Sequence, residues 1–273
     1  MSFLENFNYQ LVGPEHGQKW VFLHGLMGFG LNWRRIVSAF EKDHQILTFD
    51  QRGHGKSFKP LTGYAPDDFA DDLHLILDEL GWEKINLIGH SMGGRNVMNF
   101  AFRFPERVAK LVIEDIGPDA RPEAIHNITE LINVAPTPFP TKLVAKEFFM
   151  NDFPRLFPHR ENIQTLGSYL YANIVENEDG TADWRFSKEA IFLALKQGRA
   201  KDRWDEYEAL SMPILVVRGS TSTDLSQKVY EEMLARNVHA QGIVISPSGH
   251  WVHSDQPLKF IEALKSFLVD SKS

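Results

Sequence analysis

Hydrophobic residues along the chain follow two patterns, short continuous runs and longer stripes with helical spacing. The continuous runs are rich in β-branched residues and predict strands buried on both faces, at 20–23, 45–49, 84–88, 111–113, 213–217 and 242–245. Stripes with spacings of three and four residues predict amphipathic helices at 67–80 and 259–269. Because strands and helices alternate, the pattern predicts a mostly parallel sheet covered by helices on both faces.

The alternation stops between about residues 117 and 210, where no strand run of the same kind occurs. Helical patterns occur there instead, near 142–151, 160–175 and 187–200. A segment of this length is too long for a structureless loop. We therefore predict a core formed by residues 1–118 and 205–273, and a helical cap inserted as residues 119–204. Ligands of α/β sheets bind beyond the carboxyl ends of the strands, so we expect the cap to lie there.

Composition and charge exclude several classes of function. The 273 residues are 43% hydrophobic, carry a net charge of −7 and include no cysteine. No basic face stands out, so nucleic acid is not an expected partner. No apolar stretch approaches the length of a membrane span, and the N-terminus lacks the basic and apolar regions of a signal peptide. We expect a cytoplasmic protein without disulfides or thiolate metal sites.

A candidate nucleophile lies between a predicted strand and a predicted helix. Residues 89–93 read Gly-His-Ser-Met-Gly, directly after the run at 84–88 and before a helical pattern that reaches Phe104. This is the G-x-S-x-G pattern in its strand–turn–helix context. The turn must be tight enough to hold Ser91 at positive φ, which requires small neighbours such as Gly89 and Gly93. The sequence therefore predicts Ser91 as a nucleophile.

A serine nucleophile needs a base, and His250 is the best candidate among 11 histidines. It follows the last predicted strand and a Ser-Pro-Ser-Gly turn, and it precedes a helix, as a base in the order Ser…Asp…His should. His253, three residues later, is the alternative.

The acid that would hold the base has two candidate positions. The usual position follows the strand that ends at residue 217, but Ser222 occupies the expected place there and Asp224 lies two residues further on. Asp115 follows the strand that ends at residue 113. We favour Asp115 over Asp224, and Ser222 is expected to add a hydrogen bond to the same histidine.

Acyl transfer also needs donors for the developing oxyanion. The backbone N–H of Met92, at the start of the helix, is one predicted donor. The second is the N–H of Leu26 in the glycine-rich loop after the first parallel strand. His24, at the start of this loop, is expected to anchor it by hydrogen bonds without transferring protons.

The segment from Asp50 to Ser57 contains glycines and a lysine but lacks the arrangement of a phosphate-binding loop. We interpret it as a structural turn in which Asp50 and Arg52 hold nearby backbone. No group of histidines or carboxylates has convincing metal-ligand spacing. We therefore predict neither a cofactor nor a metal.

Four blocks of sequence, spread over nearly the whole chain, resemble the α/β-hydrolase superfamily: His-Gly-Leu-Met-Gly (24–28), Asp-Gln-Arg-Gly-His-Gly-Lys-Ser (50–57), Gly-His-Ser-Met-Gly-Gly (89–94) and Gly-His-Trp-Val-His-Ser-Asp-Gln-Pro (249–257). The resemblance implies the α/β-hydrolase fold, a mostly parallel central sheet with helices on both faces and an inserted helical cap.

More narrowly, the chain resembles small bacterial carboxylesterases of the YbfF type and their mammalian mitochondrial relatives. The residues that carry this are Asp-Ile-Gly-Pro (115–118), Arg-Gly-Ser-Thr-Ser (218–222) and Trp251. The resemblance implies Asp115 as the acid, Ser222 beside it, and action on short- to medium-chain acyl esters or thioesters. The departure is Gly117, where a residue such as alanine is expected.

These observations together predict a serine carboxylesterase whose partner is a small-molecule acyl ester. The alternatives are C–C bond hydrolysis or cofactor-free haloperoxidation by the same residues, or a non-enzymatic homologue that binds small molecules. Large apolar side chains of residues 119–204 are expected to supply the wall of an acyl pocket, although most of them individually more often pack the cap's own helices. They are Phe139, Phe148, Phe149, Phe153, Phe157, Tyr169, Tyr171, Trp184 and Phe192.

Overall fold

The computed structural model describes residues 2–160 and 163–269. Met1, residues 161–162 at the start of the predicted helix 160–175, and residues 270–273 of the predicted core lie outside the described residues. Within the described part, the largest element is a seven-stranded sheet in the order β1-β3-β2-β4-β5-β8-β9. Its strands are β1 (Tyr9–Val12), β2 (Gln18–Leu23), β3 (His44–Phe49), β4 (Ile85–His90), β5 (Val108–Glu114), β8 (Ile214–Gly219) and β9 (Ala240–Ile245).

The pairing in this sheet is parallel except at one edge, where β1 is antiparallel to β3. The six parallel strands coincide with the six runs predicted from sequence. Strand β1 was not predicted, because it lies at the edge and is largely exposed, so it carries no continuous apolar run.

Helices cover both faces of the sheet, as predicted. They are α1 (Arg34–Val37), α2 (Pro66–Glu79), α3 (Met92–Arg103), α9 (Trp204–Glu208), α10 (Gln227–Arg236), α11 (Val252–Asp255) and α12 (Pro257–Leu264), which continues as a π-helix over Lys265–Val269. Val21 and Leu23 of β2 face the side packed by α2, α3, α9 and α10. Trp20 and Phe22 face the side packed by α1 and α12. Alternate residues of one strand thus enter two hydrophobic cores, which explains its continuous apolar run.

The segment between β5 and β8 contains most of the remaining helices. These are α4 (Pro122–Asn133), α5 (Lys142–Glu147), α6 (Phe153–Leu156), α7 (Ile163–Ala172) and α8 (Lys188–Gly198), with a π-helix at Phe148–Asp152 between α5 and α6. The segment also holds a feature that the sequence reading missed, an antiparallel hairpin of β6 (Ile174–Glu176) and β7 (Ala182–Trp184). Strands of three residues are too short to produce a recognisable alternation.

Side chains of this segment form a hydrophobic core of their own, separate from the two cores of the sheet. Among its fully buried members are Phe139, Phe149, Phe153 and Leu170. The insertion is the segment between β5 and β8. Its limits as a separate cap, residues 119–204, stay a prediction. Among the described residues, no helix combines the length and apolar character that a membrane span requires.

Candidate active site

Four of the predicted site residues lie at the same edge of the sheet, beyond the carboxyl ends of its parallel strands. Ser91 directly follows β4, Asp115 directly follows β5, Ser222 follows β8, and His250 follows β9. Parallel strands end at one edge, so residues far apart in sequence meet there.

The turn at Ser91 has the strained backbone that the sequence predicts. Ser91 adopts φ 54° and ψ −117°, and helix α3 begins at the next residue. A Cβ atom at Gly89 would lie 2.3 Å from the carbonyl oxygen of Gly93, and one at Gly93 would lie 2.4 Å from that of Leu23. Only glycine fits at both positions, which confirms the reason given for the small neighbours.

A continuous chain of hydrogen bonds joins the three residues proposed as nucleophile, base and acid. Ser91 Oγ lies 2.9 Å from His250 Nε2, and His250 Nδ1 lies 2.8 Å from Asp115 Oδ2. Asp115 is fully buried, and the side chain of His250 is 15% exposed. With Nδ1–H donated to the carboxylate, Nε2 of the neutral ring is free to accept the Ser91 proton.

The carboxylate of Asp115 is held by further donors. Gly219 N–H donates to Oδ1 at 2.8 Å, and the hydroxyl of Ser222 donates to Oδ2. The expectation that Ser222 would bond to the histidine is therefore wrong, because its hydroxyl is directed at the acid instead. Burial raises the pKa of Asp115, while the hydrogen bonds from His250, Ser222 and Gly219 act in the opposite direction.

Asp224, the alternative acid, lies close to the same histidine but further away than Asp115. Its Oδ2 is 3.7 Å from His250 Nδ1, and its side chain is 38% exposed. Burial favours the neutral ring of His250, but the carboxylates of Asp224, Asp115 and Glu114 outweigh it and raise its pKa to about 9. The structure therefore places Asp115 in hydrogen-bonding contact and Asp224 within electrostatic range.

His253, the alternative base, is directed away from Ser91 towards Glu114. Its Nδ1 lies 2.9 Å from both carboxylate oxygens of Glu114, and its backbone N–H donates to Oε1 at 2.8 Å. His90 Nε2 donates to the carbonyl oxygen of His250 at 2.8 Å. Burial and the neighbouring histidines lower the pKa of His90 well below its ordinary value, so the ring is neutral.

His90 and Glu114 therefore hold the loop that carries His250, a role that the sequence analysis did not assign. The adjacent acids Glu114 and Asp115 at one strand end, and the histidine next to the predicted nucleophile, were the available signals. Among the described residues, His90, Glu114 and His253 also offer ligand atoms within 4.8 Å of one another, the spacing that a metal ion would need. The hydrogen bonds above already account for these three side chains.

The two predicted oxyanion donors, Leu26 and Met92, both line the cavity next to Ser91. Among the described residues, neither backbone N–H has a hydrogen-bond acceptor. The loop that carries Leu26 is held by His24, whose Nε2 accepts from Gln51 N–H at 2.9 Å and whose Nδ1 donates to Gly25 O at 2.8 Å. Burial lowers the pKa of His24 to about 4, so it is neutral and anchors the loop as predicted.

The turn at 50–57 also has the predicted structural role. Asp50 accepts from the backbone N–H groups of Gly30 at 2.7 Å and Lys56 at 2.9 Å. Arg52 donates to the carbonyl oxygen of Gly63 at 2.7 Å and pairs with Asp72.

A cavity of about 130 Å³ lies beside Ser91 and His250. Core and insertion both contribute to its wall, and the insertion supplies apolar side chains from three helices, Ile128, Leu131, Leu166 and Leu195. Of the nine aromatic residues expected there, the described structure places only Tyr169 at the cavity. The rings of the other eight pack inside or against the insertion's own core, as the sequence analysis allowed for most of them individually.

Comparison with known proteins agrees with this architecture. A family model described as the alpha/beta hydrolase fold matches residues 21–257. The chain belongs to the α/β-hydrolase family. This confirms the fold class and the superfamily resemblance predicted from sequence.

Relatives of this α/β-hydrolase include esterases and lipases. It is 32% identical to the sn-1-specific diacylglycerol lipase ABHD11 of Danio rerio over 91% of this chain and 77% of that one. It is 29% identical to esterase YbfF of Escherichia coli, with 92% of each chain covered. The solved structure of a marine microorganism esterase has a TM-score of 0.80 at 28% identity, covering 96% of this chain and 99% of that one.

Proposed function

We propose that the protein is a serine hydrolase that cleaves short- to medium-chain carboxylic esters or thioesters through an acyl-enzyme intermediate. The observation that carries the proposal is the chain of hydrogen bonds from Ser91 through His250 to Asp115, with lengths of 2.9 and 2.8 Å, at the wall of a cavity. The esterases among its relatives, at 28% and 29% identity, support the same reaction class.

In the first half of the reaction, Ser91 Oγ attacks the carbonyl carbon of the ester while His250 Nε2 takes its proton. Asp115 keeps the ring in the required tautomer and stabilises the imidazolium. The N–H groups of Leu26 and Met92 stabilise the negative charge on the former carbonyl oxygen. The tetrahedral intermediate then collapses, and His250 returns the proton to the departing alcohol or thiol.

In the second half, a water molecule attacks the acyl carbon of the Ser91 ester and gives its proton to His250. The bond between the acyl carbon and Ser91 Oγ breaks, and Oγ recovers the proton. The net reaction consumes one water molecule and releases one acid and one alcohol or thiol. No step requires a cofactor or a metal.

We also propose that residues 119–204 act as a cap that limits the length of the acyl chain. Helices α4, α7 and α8 of the insertion supply apolar side chains to the cavity beside Ser91. Apolar walls suit an acyl chain, and a volume of about 130 Å³ accommodates a short chain better than a long one.

The proposal is tested with p-nitrophenyl butyrate and a serine-directed organophosphonate. Ser91→Ala should lose about 10⁴- to 10⁶-fold in turnover, with an unchanged circular dichroism spectrum. Ser254→Ala, which changes an exposed serine of the same face, is the matched control. Mass spectrometry should find one phosphonate on the wild-type protein, on Ser91, and none on Ser91→Ala.

Retained turnover in Ser91→Ala would refute the role of Ser91. A wild-type protein that the phosphonate labels on Ser91, but that cleaves no ester or thioester, would exclude the proposed reaction. It would favour C–C bond hydrolysis or haloperoxidation instead.

A further inference from the structure

The wall of the cavity contains a buried arginine, Arg199, with a guanidinium nitrogen that has no hydrogen-bond acceptor among the described residues. Arg199 directly follows helix α8 and is 7% exposed. Its Nη1 atom is buried and has no hydrogen-bond acceptor among the described residues. The guanidinium also forms no ion pair with a described residue. Polar groups buried in proteins are nearly always hydrogen-bonded, because an unpaired one has lost its hydration without compensation. A guanidinium with a buried, unpaired nitrogen at a cavity wall can therefore bind an acceptor that arrives with a ligand.

Acidic side chains near Arg199 attract its charge, but among the described residues none of them forms an ion pair with it. Asp224 faces His250, and Glu123 pairs with Arg121. Asp224, which lines the same cavity, attracts Arg199 most strongly, and Asp119 and Glu123, which do not line it, attract it less. These carboxylates thus stabilise the buried positive charge of Arg199 without accepting hydrogen bonds from its guanidinium.

Two further arginines line the same cavity, Arg95 and Arg160. Arg95 donates to the carbonyl oxygens of Gly117, Asp119 and Lys201, so it mainly joins the core to the insertion. Arg160 is exposed. Asp224 is the acidic residue that the described structure places in this wall, so three arginines and one carboxylate line the cavity.

The rest of the wall is largely apolar, with Leu26 of the loop after β2, a leucine from each of α4, α7 and α8, and the aromatic residues Phe69 and Trp251. A ligand that complements it has an apolar segment, an acyl carbonyl at Ser91 and a negative charge at Arg199. The planar guanidinium matches a carboxylate, which accepts two parallel N–H donors. A phosphate dianion fits less well, because Asp224 would repel its second charge.

We propose that Arg199 is a specificity-determining residue that binds a carboxylate of the substrate, so that the preferred substrate is a half-ester or half-thioester of a short dicarboxylic acid. This inference rests on the proposed function, since it names the substrate class of the same site. Arg199 binds the free carboxylate, and Ser91 attacks the esterified one.

The test uses pairs of substrates that differ only in this charge. Monoethyl succinate, glutarate and adipate are compared with ethyl butyrate, pentanoate and hexanoate, in which a methyl group replaces the carboxylate. The rate of ethanol release gives kcat and KM for each. We expect the wild-type kcat/KM to favour the best half-ester at least tenfold, which corresponds to about 1.4 kcal/mol.

The variant Arg199→Gln should reduce this preference at least tenfold, mainly through KM, while kcat/KM for the neutral ester changes less than threefold. Arg199→Lys, which keeps the charge but not the planar fork, should retain an intermediate preference. Arg155→Gln is the matched control, because Arg155 lies in the insertion with a side chain that is 78% exposed. It should leave the preference unchanged.

Several outcomes would overturn the inference. One is a wild-type protein that prefers no half-ester. Another is an Arg199→Gln variant that lowers both kcat/KM values equally, which would make Arg199 a structural residue. If Arg199→Gln does not fold, as judged by circular dichroism, the wild-type preference for half-esters and its reduction in Arg199→Lys test the inference instead. Cleavage of neutral esters without charge preference would refute this inference alone, whereas cleavage of no ester would refute the proposed function.

Discussion

Replacing Asp115 by asparagine separates the roles of the two carboxylates that face His250. The change keeps the shape of the side chain but removes its charge and one acceptor oxygen. The amide can turn its NH₂ group towards His250 Nδ1, which then has to accept, and Nε2 carries the proton instead. A ring in that tautomer cannot take the proton of Ser91.

The size of the effect follows from what remains in the variant. A comparable substitution in a serine protease lowers kcat about 10⁴-fold. Here Asp224 Oδ2 stays 3.7 Å from His250 Nδ1 and can supply part of the lost stabilisation. We therefore expect a loss of about 10²- to 10⁴-fold in kcat, which equals about 2.7 to 5.4 kcal/mol of transition-state stabilisation.

The assay measures turnover of p-nitrophenyl butyrate by Asp115→Asn, Asp224→Asn and the double variant. Asp224→Asn should lose less than tenfold, because Asp224 does not hydrogen-bond to the ring. If Asp224 compensates in Asp115→Asn, the double variant should lose more than the product of the single losses. Ser222→Ala should cost less than Asp115→Asn, since Gly219 still donates to the carboxylate. A larger loss in Asp224→Asn than in Asp115→Asn would refute this reasoning and make Asp224 the acid.

Three further predictions concern pH, folding and chain length. Because only neutral His250 acts as a base and its pKa is raised to about 9, kcat/KM should rise from pH 7 towards pH 9. Asp224→Asn removes a charge that raises this pKa, so the rise in kcat/KM should shift to lower pH. An unshifted pH profile would contradict the prediction. Gly93→Ala would place a Cβ atom 2.4 Å from a carbonyl oxygen and should lower the free energy of unfolding, measured in urea, by about 1–3 kcal/mol. Gly198→Ala, where the space is open, should change this free energy by no more than about 1 kcal/mol. Equal effects of the two substitutions would refute the steric argument. Among p-nitrophenyl esters from acetate to palmitate, kcat/KM should pass through a maximum at short to medium acyl chains, since each buried methylene contributes about 0.8 kcal/mol until the cavity is full. A maximum at palmitate would show that the insertion does not limit the length of the acyl chain.

The amino-acid sequence by itself determined the six parallel strands of the sheet, the turn at Ser91 and the position of His250. These features depend on local chemistry. Continuous β-branched runs are stable only when buried on both faces, and a serine at positive φ between strand and helix requires Gly89 and Gly93 on either side. Because these strands are parallel, Ser91 and His250 both lie at the carboxyl ends of the strands that precede them, on the same side of the sheet.

Only the tertiary structure decided which acid meets His250 and what forms the cavity wall. Asp115 and His250 are 135 residues apart, and a difference of 0.9 Å between two carboxylates near one nitrogen cannot be read from spacing in the chain. Of the nine aromatic residues of the insertion, the described structure places only Tyr169 at the cavity and packs the others in or against the insertion's core, a division that spacing in the chain does not reveal. The tertiary structure also places Arg199 at the cavity with a buried Nη1 atom that no acceptor among the described residues reaches. The sequence shows the charge of Arg199 but not which acceptors come close to it.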